Sequence, residues 1–258
     1  MKNSSIIQRY AKLIWFKALA TSRVDLGRAY LGACWWVLEP VMYMITCYLV
    51  FDVLLKRGEE GFVPFLLCGI LGLRWFAGTV QRGAVSIVTN SALICQVYLP
   101  KIIFPLVIVV SNAITYFFIW TLFLLFLPFL GYSPNTVWLA LPLVFWVQLF
   151  LIVACTCIAA AAMPLLPDLR FILERFLTAL FFLSGVFYDI GRFSERIQFY
   201  FQFNPIATIL SCYRHILLNS IWPDWFALFQ IWIFSVIGIL ISIWMLIRFD
   251  RLYPKIVA

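Results

Sequence analysis

Residues Gln81 to Pro105 read QRGAVSIVTNSALICQVYLPKIIFP and form a polar-flanked joint between two long hydrophobic runs. Asn90-Ser91 is a candidate helix N-cap before a short amphipathic helix, Ala92 to Leu99, which Pro100 stops and Lys101 closes with a positive charge. We expect a docking element of about two helical turns, over residues 90–101, that projects from the neighbouring helices. An ordinary interhelical loop is the alternative interpretation.

The composition predicts a membrane protein. Hydrophobic residues make up 65% and charged residues 12% of the 258 residues, and the mean hydropathy is +1.02. A soluble domain of this size needs far more charge on its surface. Because a hydrocarbon core about 30 Å thick needs roughly 20 apolar residues per helix, we predict an all-α integral membrane fold. Its six spans are Leu31 to Leu55, Phe62 to about Val85, Ile102 to Leu127, Val137 to Met163, a short one from about Phe171 to Tyr188, and Phe226 to Ile247.

The distribution of Lys and Arg predicts the orientation. Basic residues concentrate before the first span, around the joint after the second, after the fourth and in the tail, and cytoplasmic loops carry such an excess. We therefore expect a multi-pass membrane protein with both termini in the cytoplasm. The formal net charge of +8 then reflects topology and contact with membrane lipids. Nucleic acid is not an expected partner, because no basic patch falls on a soluble domain.

Residues 1–30 form an amphipathic segment ahead of the transmembrane domain, residues 31–258. Ile6, Tyr10 and Ile14 recur at helical spacing, with Arg9 and Lys12 interleaved between them. This pattern predicts a helix that lies in the plane of the inner membrane interface. A solvated, partly frayed tail is the alternative.

Residues 191–224 match neither a full span nor a polar loop. Ser194 is a candidate cap for one short helix, and Asn204-Pro205 predicts the start of a second, with proline at the first helical position. The mixture of arginines such as Arg214 with aromatic residues indicates two helices that dip back into the outer leaflet. Irregular backbone is tolerated at that depth where protein or a water-filled cavity covers it. Two interfacial helices that rest on lipid are the alternative.

Two ionisable residues fall inside predicted spans, Glu39 in the first and Arg74 in the second. At about 1.5 Å per residue they reach a similar depth on neighbouring antiparallel helices. An isolated charge at that depth costs several kcal/mol, so the sequence predicts an ion pair. In the alternative, Glu39 lies at the headgroups and Arg74 faces an aqueous channel.

Aromatic residues are unusually numerous, with 26 Phe, 11 Tyr and 11 Trp. This is more than aromatic belts and core packing need, so we expect some of these side chains to line a pathway. The candidates are Tyr43, Tyr48, Trp75, Phe182, Phe187 and Tyr188.

Four motifs occur in a characteristic order: YLGACWWVLEP at 30–40, FLLCGILGLRWFAG at 65–78, NSALICQVYLPKIIFPL at 90–106 and FNPIATILSCYRHILL at 203–218. Over nearly its whole length the chain resembles the membrane subunits, or permeases, of ABC-type exporters of lipid-linked O-antigen, capsule and teichoic-acid polymers. The resemblance implies a gating N-terminal helix, a coupling helix after the second span and a periplasmic gate before the sixth. It also implies two protomers per channel, with O-antigen the favoured cargo.

The same resemblance implies an ATPase subunit as partner, in a two-plus-two complex. The coupling residues would then be Asn90, Val97, Tyr98 and Lys101, and the gate residues Ser194, Asn204, Pro205 and Arg214. The sequence contains no GxxxxGK[ST] motif, so we expect this chain to bind no cofactor, with ATP and Mg²⁺ held by the partner subunit.

Two other classes of protein stay open from the residues alone. A membrane-embedded acyl- or glycosyltransferase could use His215 as a base, although no paired carboxylates or Ser/His/Asp set accompanies it. A secondary transporter would need inverted repeats and several ionisable groups near the midplane. The seven cysteines show no CxxC spacing and there is one histidine, so neither a metal site nor a catalytic residue is predicted.

Overall fold

The computed structural model describes residues 2–28, 61–97 and 99–250, together with positions 38, 41, 42, 45, 46, 49, 252, 253 and 256. Across these residues the protein is helical and contains no strand. The α-helices are α1 (Lys2–Arg28), α2 (Phe62–Ala84), α3 (Ser86–Thr89), α4 (Ser91–Gln96), α5 (Ile103–Phe126), α6 (Leu141–Ala162), α7 (Leu169–Leu183), α8 (Glu195–Gln202), α9 (Pro205–Leu217) and α10 (Trp225–Arg248). Short 3-10 helices extend α5 at Leu127–Leu130, precede α6 at Thr136–Ala140 and precede α8 at Ile190–Arg192.

Four helical segments within the described ranges are long and apolar enough to cross a membrane: Phe62–Ala84, Ile103–Leu130, Thr136–Ala162 and Trp225–Arg248. They confirm the predicted positions of the second, third, fourth and sixth spans. The first predicted span lies almost entirely outside the described residues. The fifth is α7, whose 15 residues reach about 22 Å at 1.5 Å per residue. Four spans are therefore supported, and the count of six stays a prediction.

α2 is the central helix of the bundle, because it packs against α5, α6 and α9 while α10 packs along α6. Most of its side chains are buried. Gly72 allows a close approach between α2 and α9, since a Cβ atom there would lie 2.5 Å from Leu210 Cδ2. Trp120 and Tyr213, two of the largest core side chains that are less than 2% exposed, pack against each other with ring centroids 4.6 Å apart and ring planes tilted by 36°.

α1 packs against the first turns of α5. Ala18 is fully buried against Ile103 and Val107, and the Ser22 and Ser111 hydroxyl oxygens are 2.9 Å apart. Ser111 lies about 12 Å along α5 from Ile103 at 1.5 Å per residue. One face of α1 thus packs against α5. The amphipathic pattern had predicted a helix that lies in the membrane interface.

The connection between α7 and α10 contains the two predicted short helices. Asn204 caps α9 as expected, because its side-chain oxygen accepts hydrogen bonds from the backbone N–H groups of Ile206 and Ala207. Its amide nitrogen also donates to Leu183 O, which ties the start of α9 to the end of α7. Ser194 occupies the N-cap position of α8, but its side chain makes no capping hydrogen bond. The prediction of a Ser194 cap was therefore wrong.

Candidate functional site

The joint identified in the sequence is a bent segment that we call the elbow, defined as residues 85–102. It comprises α3, α4 and the turn into α5. α4 directs Ile94 into the bundle and exposes Leu93, Cys95 and Val97. An exposed apolar surface on a connecting segment is typical of a protein contact site. Val97 has the position expected of a docking residue, and Tyr98 lies outside the described residues.

Asn90 connects the elbow to α1 instead of capping α4. Its side chain makes no capping bond, because Asn90 Nδ2 donates to Ser86 O at 2.8 Å and its oxygen accepts from Lys17 Nζ at 3.2 Å. The Lys17 ammonium group also lies 5.0 Å from the centroid of the Phe104 ring. Partial burial lowers the pKa of Lys17. The predicted cap was wrong, and the residue joins two helices that are distant in sequence.

Lys101 does not close α4, which ends at Gln96. It lies in the turn that starts α5, where its carbonyl oxygen accepts from Phe104 N. Its ammonium nitrogen is 3.1 Å from Asp250 Oδ1, and its side chain is 3% exposed. The positive charge is therefore inside the protein rather than on the docking surface. The helix is shorter than predicted because Val97 adopts an extended conformation.

A cleft of about 490 Å³ lies between α2 and α7. Its polar lining residues are Arg74, Gln81, Glu174 and Thr178, and its aromatic ones include Tyr116 and Phe182. Arg74 is half-buried, but Glu39 lies outside the described residues, so their pairing stays a prediction. Charged groups on helices of a membrane protein usually face a cavity or a partner rather than lipid.

The aromatic candidates for pathway lining separate into different environments. Phe182 is exposed and lines the cleft, whereas Phe187 and Tyr188 are half-buried. Phe187 packs on Phe181, and the Tyr188 hydroxyl donates to Phe182 O. Trp75 is a correction: it is 5% exposed and stacks on Tyr116 and Phe145 inside the core. Tyr43 and Tyr48 lie outside the described residues.

Arg214 has a different role from that of an exposed gate residue. It is buried, and its guanidinium group donates to the carbonyl oxygens of Phe65, Gly185 and Val186. The guanidinium carbon also lies 3.5 Å from the Phe65 ring centroid. Gly185 adopts a left-handed conformation with φ of +69°, which places the turn after α7 around this arginine. Arg214 therefore fixes α9, which begins with Pro205, to α2 and to that turn.

The sequence did not predict a buried chain of two hydrogen bonds, which we call the relay. Tyr213 donates to Gln148 Oε1 at 2.6 Å, and Gln148 Nε2 donates to Gly72 O at 2.7 Å. The relay joins α9, α6 and α2 through side chains that are fully or almost fully buried. The available signal was the glutamine itself, an amide in the middle of the apolar run VFWVQLF. Polar residues inside spans usually bond to neighbouring helices.

Comparison with known proteins identifies the type of subunit. No family model matches the chain. The chain is 28% identical over 200 residues to the O-antigen export system permease protein RfbA of Myxococcus xanthus, which covers 76% of both chains. The predicted resemblance is confirmed. Two RfbA permeases of Klebsiella pneumoniae are 21% and 19% identical over 191 residues, or 74% of each chain.

These permease relatives, together with the apolar helices, indicate a multi-pass transmembrane subunit of an ABC-type polysaccharide exporter, a transport component rather than an enzyme. The elbow occupies the position in the chain at which the resemblance implies a coupling helix. The family of ABC-type exporter permeases implies an ATPase partner.

Proposed function

We propose that this chain is the channel-forming subunit of an ATP-driven exporter that moves a lipid-linked polysaccharide across a bacterial inner membrane. O-antigen is the favoured cargo, because the matched relatives are O-antigen export permeases. The elbow is the seat for a separate ATPase subunit, which holds the ATP and Mg²⁺. The termini and the elbow lie on the cytoplasmic side in this proposal.

The observation that carries the proposal is the construction of α4. A helix of six residues is not stable by itself in water. Contacts with the rest of the protein or with a partner must therefore stabilise α4. Ile94 is the anchor, and Leu93 and Val97 form an exposed apolar contact surface. A connecting loop without a partner would favour polar residues at these positions.

α7 supports the proposal of a channel formed by two copies. Leu177 is the one side chain of α7 that is fully buried, while Phe171, Ile172 and Phe176 are exposed. The same helix contributes Glu174 and Thr178 to the cleft with Arg74. Because charged groups are costly in lipid, this mixed face fits a second copy and a polar pathway between the two protomers. The complex then has two permease and two ATPase subunits.

The test compares Val97→Glu on the elbow with Ser133→Glu, which introduces the same charge at an exposed position of the loop between the spans Ile103–Leu130 and Thr136–Ala162. We expect the tagged wild-type protein to copurify with an ATPase subunit, and Val97→Glu to lose ATPase binding or export. Ser133→Glu should retain both. Deletion of the gene should remove a surface polysaccharide and leave its lipid-linked precursor inside the cell. Copurification without any ATPase, or unchanged export by Val97→Glu, contradicts the proposal.

A further inference from the structure

The segment after α10 makes one polar contact with the elbow and one with the end of α6. Asp250 meets Lys101 at 3.1 Å. Tyr253 is fully buried, and its hydroxyl donates to Ala161 O at 3.1 Å. We call Lys101, Asp250 and Tyr253 the tail clasp. Its members come from the elbow and from the carboxyl-terminal tail, and it also holds the end of α6.

The Lys101–Asp250 contact removes two unfavourable features of the elbow. A lysine at the start of α5 meets the positive end of the helix dipole, and burial of its charge adds a desolvation cost. Asp250 opposes both effects, because its carboxylate lies against the ammonium group at the same point. Removal of one partner from such a buried pair is much more damaging than exchange of the two.

The Tyr253 contact completes the end of α6. The last four carbonyl groups of an α-helix lack partners within the helix, and Ala161 is the penultimate residue of α6. The Tyr253 hydroxyl satisfies this carbonyl oxygen from the tail. Burial and the neighbouring Asp250 raise the pKa of Tyr253 to about 12, so the hydroxyl keeps its proton and continues to donate at neutral pH.

Apolar contacts place the tail clasp between the elbow and three long helices. Tyr253 belongs to one buried cluster with Ile87 of α3 and Ile94 of α4, and the same cluster includes Phe104 of α5, Ala160 and Ala161 of α6, and Leu246 of α10. Ile94 is the anchoring side chain of α4. Tyr253 and Ile94 thus belong to one cluster with residues of α6 and α10, through which we expect a displacement of α4 to reach these two helices.

We propose that the tail clasp is part of the coupling apparatus: it orients α4 and transmits elbow movement to α6 and α10. This inference rests on the proposed function, because it requires the elbow to receive the ATPase. Lys101, Asp250 and Tyr253 act as positioning residues that do not touch the cargo. Without the tail contacts, α4 stays bound to its partner subunit but moves without carrying the two long helices with it.

Charge exchange tests the proposal in the assembled complex. Lys101→Glu, Asp250→Lys and the double exchange are compared for membrane abundance, bound ATPase subunit, ATP hydrolysis and export. We expect each single variant to retain the ATPase and to lower export per ATP hydrolysed by about tenfold or more, which corresponds to about 1.4 kcal/mol. The double exchange should restore at least about half of that ratio, because the opposite charges meet again.

A milder pair of variants covers the case in which the single charge variants fail to accumulate. Tyr253→Phe removes one hydroxyl from the buried cluster, and Tyr132→Phe makes the same change at a half-buried position in the turn after α5. We expect Tyr253→Phe to accumulate normally and to lower export per ATP hydrolysed by about threefold, within the range of one lost hydrogen bond. Tyr132→Phe should leave this ratio unchanged.

The results separate this inference from the function on which it rests. The tail clasp is overturned if its variants keep the wild-type ratio of export to hydrolysis, or lose export only in proportion to membrane abundance, while Val97→Glu uncouples the complex. If Val97→Glu also leaves ATPase binding and export unchanged, the coupling role of the elbow fails as well. Recovery in the double exchange would establish the contact as functional.

Discussion

The elbow and α9 lie at opposite ends of α2 and are built in opposite ways. Most side chains of α9 are buried, and Arg214 and Tyr213 connect it to several parts of the bundle through hydrogen bonds. α4 buries Ile94 alone. The elbow is held by the buried side chains of Ile87 and Ile94 and by two polar contacts, from Lys17 to Asn90 and from Lys101 to Asp250.

The difference indicates which of the two elements can be displaced at the lower cost in free energy. Displacement of α9 would break buried hydrogen bonds and expose polar groups to an apolar core, each at about 1–3 kcal/mol. Displacement of the elbow disturbs two buried apolar side chains, Ile87 and Ile94, and a few polar contacts. We therefore expect α9 to behave as part of the rigid bundle and the elbow as its adjustable input. Motion at the α9 end is then more easily assigned to α8, whose Phe199, Tyr200 and Phe203 are exposed.

The largest effect should come from removal of the anchor of α9. Arg214→Leu leaves three carbonyl oxygens without their donor, and each unsatisfied carbonyl should destabilise the protein by about 1–3 kcal/mol. Thermal unfolding of the purified protein in detergent measures the loss. Arg196→Leu, at an exposed position of α8, is the matched control and should unfold like the wild type. If Arg214→Leu is as stable as the wild type, α9 is not fixed in the way described.

An intermediate effect is expected from glycines on α2. A Cβ atom at Gly69 would lie 2.6 Å from Arg214 Nη2 and 3.3 Å from Val186 Cα, whereas at Gly78 it meets nothing within 4 Å. Gly69→Ala should therefore cost about 1–3 kcal/mol through overpacking. Gly78→Ala should be neutral or stabilise by up to about 1 kcal/mol through helix propensity. Equal unfolding temperatures for the two variants would show that α9 tolerates separation from α2.

Lys17 should have the smallest effect on stability. Lys17→Met removes a partly buried hydrogen bond to Asn90 and should cost about 1 kcal/mol. Because that contact joins α1 to the elbow, export should still fall, while Lys12→Met at an exposed position of α1 should leave export unchanged. Unfolding curves and export assays on the same preparations distinguish the two effects. A large loss of stability in Lys17→Met would remove the contrast between the elbow and α9.

The helices that could be predicted depend on local properties of the sequence. Length and hydrophobicity determine a span, and the ends of α2, α5 and α10 agree with prediction to within about two residues. The Asn204-Pro205 start of α9 was also predictable, since a cap bonds to the next residues in the chain. In each case the interacting groups are neighbours in sequence or share one helix.

The side-chain partners of the candidate sites were not predictable from local pattern. In the sequence, Lys101 next to Pro100 resembles a lysine exposed to solvent. In the structure its side chain is buried and contacts Asp250. Arg214 finds Phe65 O, a group 149 residues away in the chain. Two signals were nevertheless present: Asp250 is an acidic residue in the basic tail RFDRLYPK, and Gln148 is a lone amide in an apolar span. A single polar residue in an apolar span, or a single acidic residue in a basic segment, predicts that its side chain has a bonding partner. The identity of that partner depends on how the helices pack.

The most direct test of the central claim uses the native thiol of Cys95, which is exposed on α4, while the other cysteines in the described part of the chain are buried or half-buried. With Cys34 and Cys47 replaced by serine, Cys95 is labelled with a maleimide that carries a photoreactive group, and the assembled complex is irradiated. Our account predicts a cross-linked product between this chain and the ATPase subunit that disappears in Cys95→Ser. A thiol that reacts in the complex but yields no such product would contradict the assignment of the elbow as the ATPase seat.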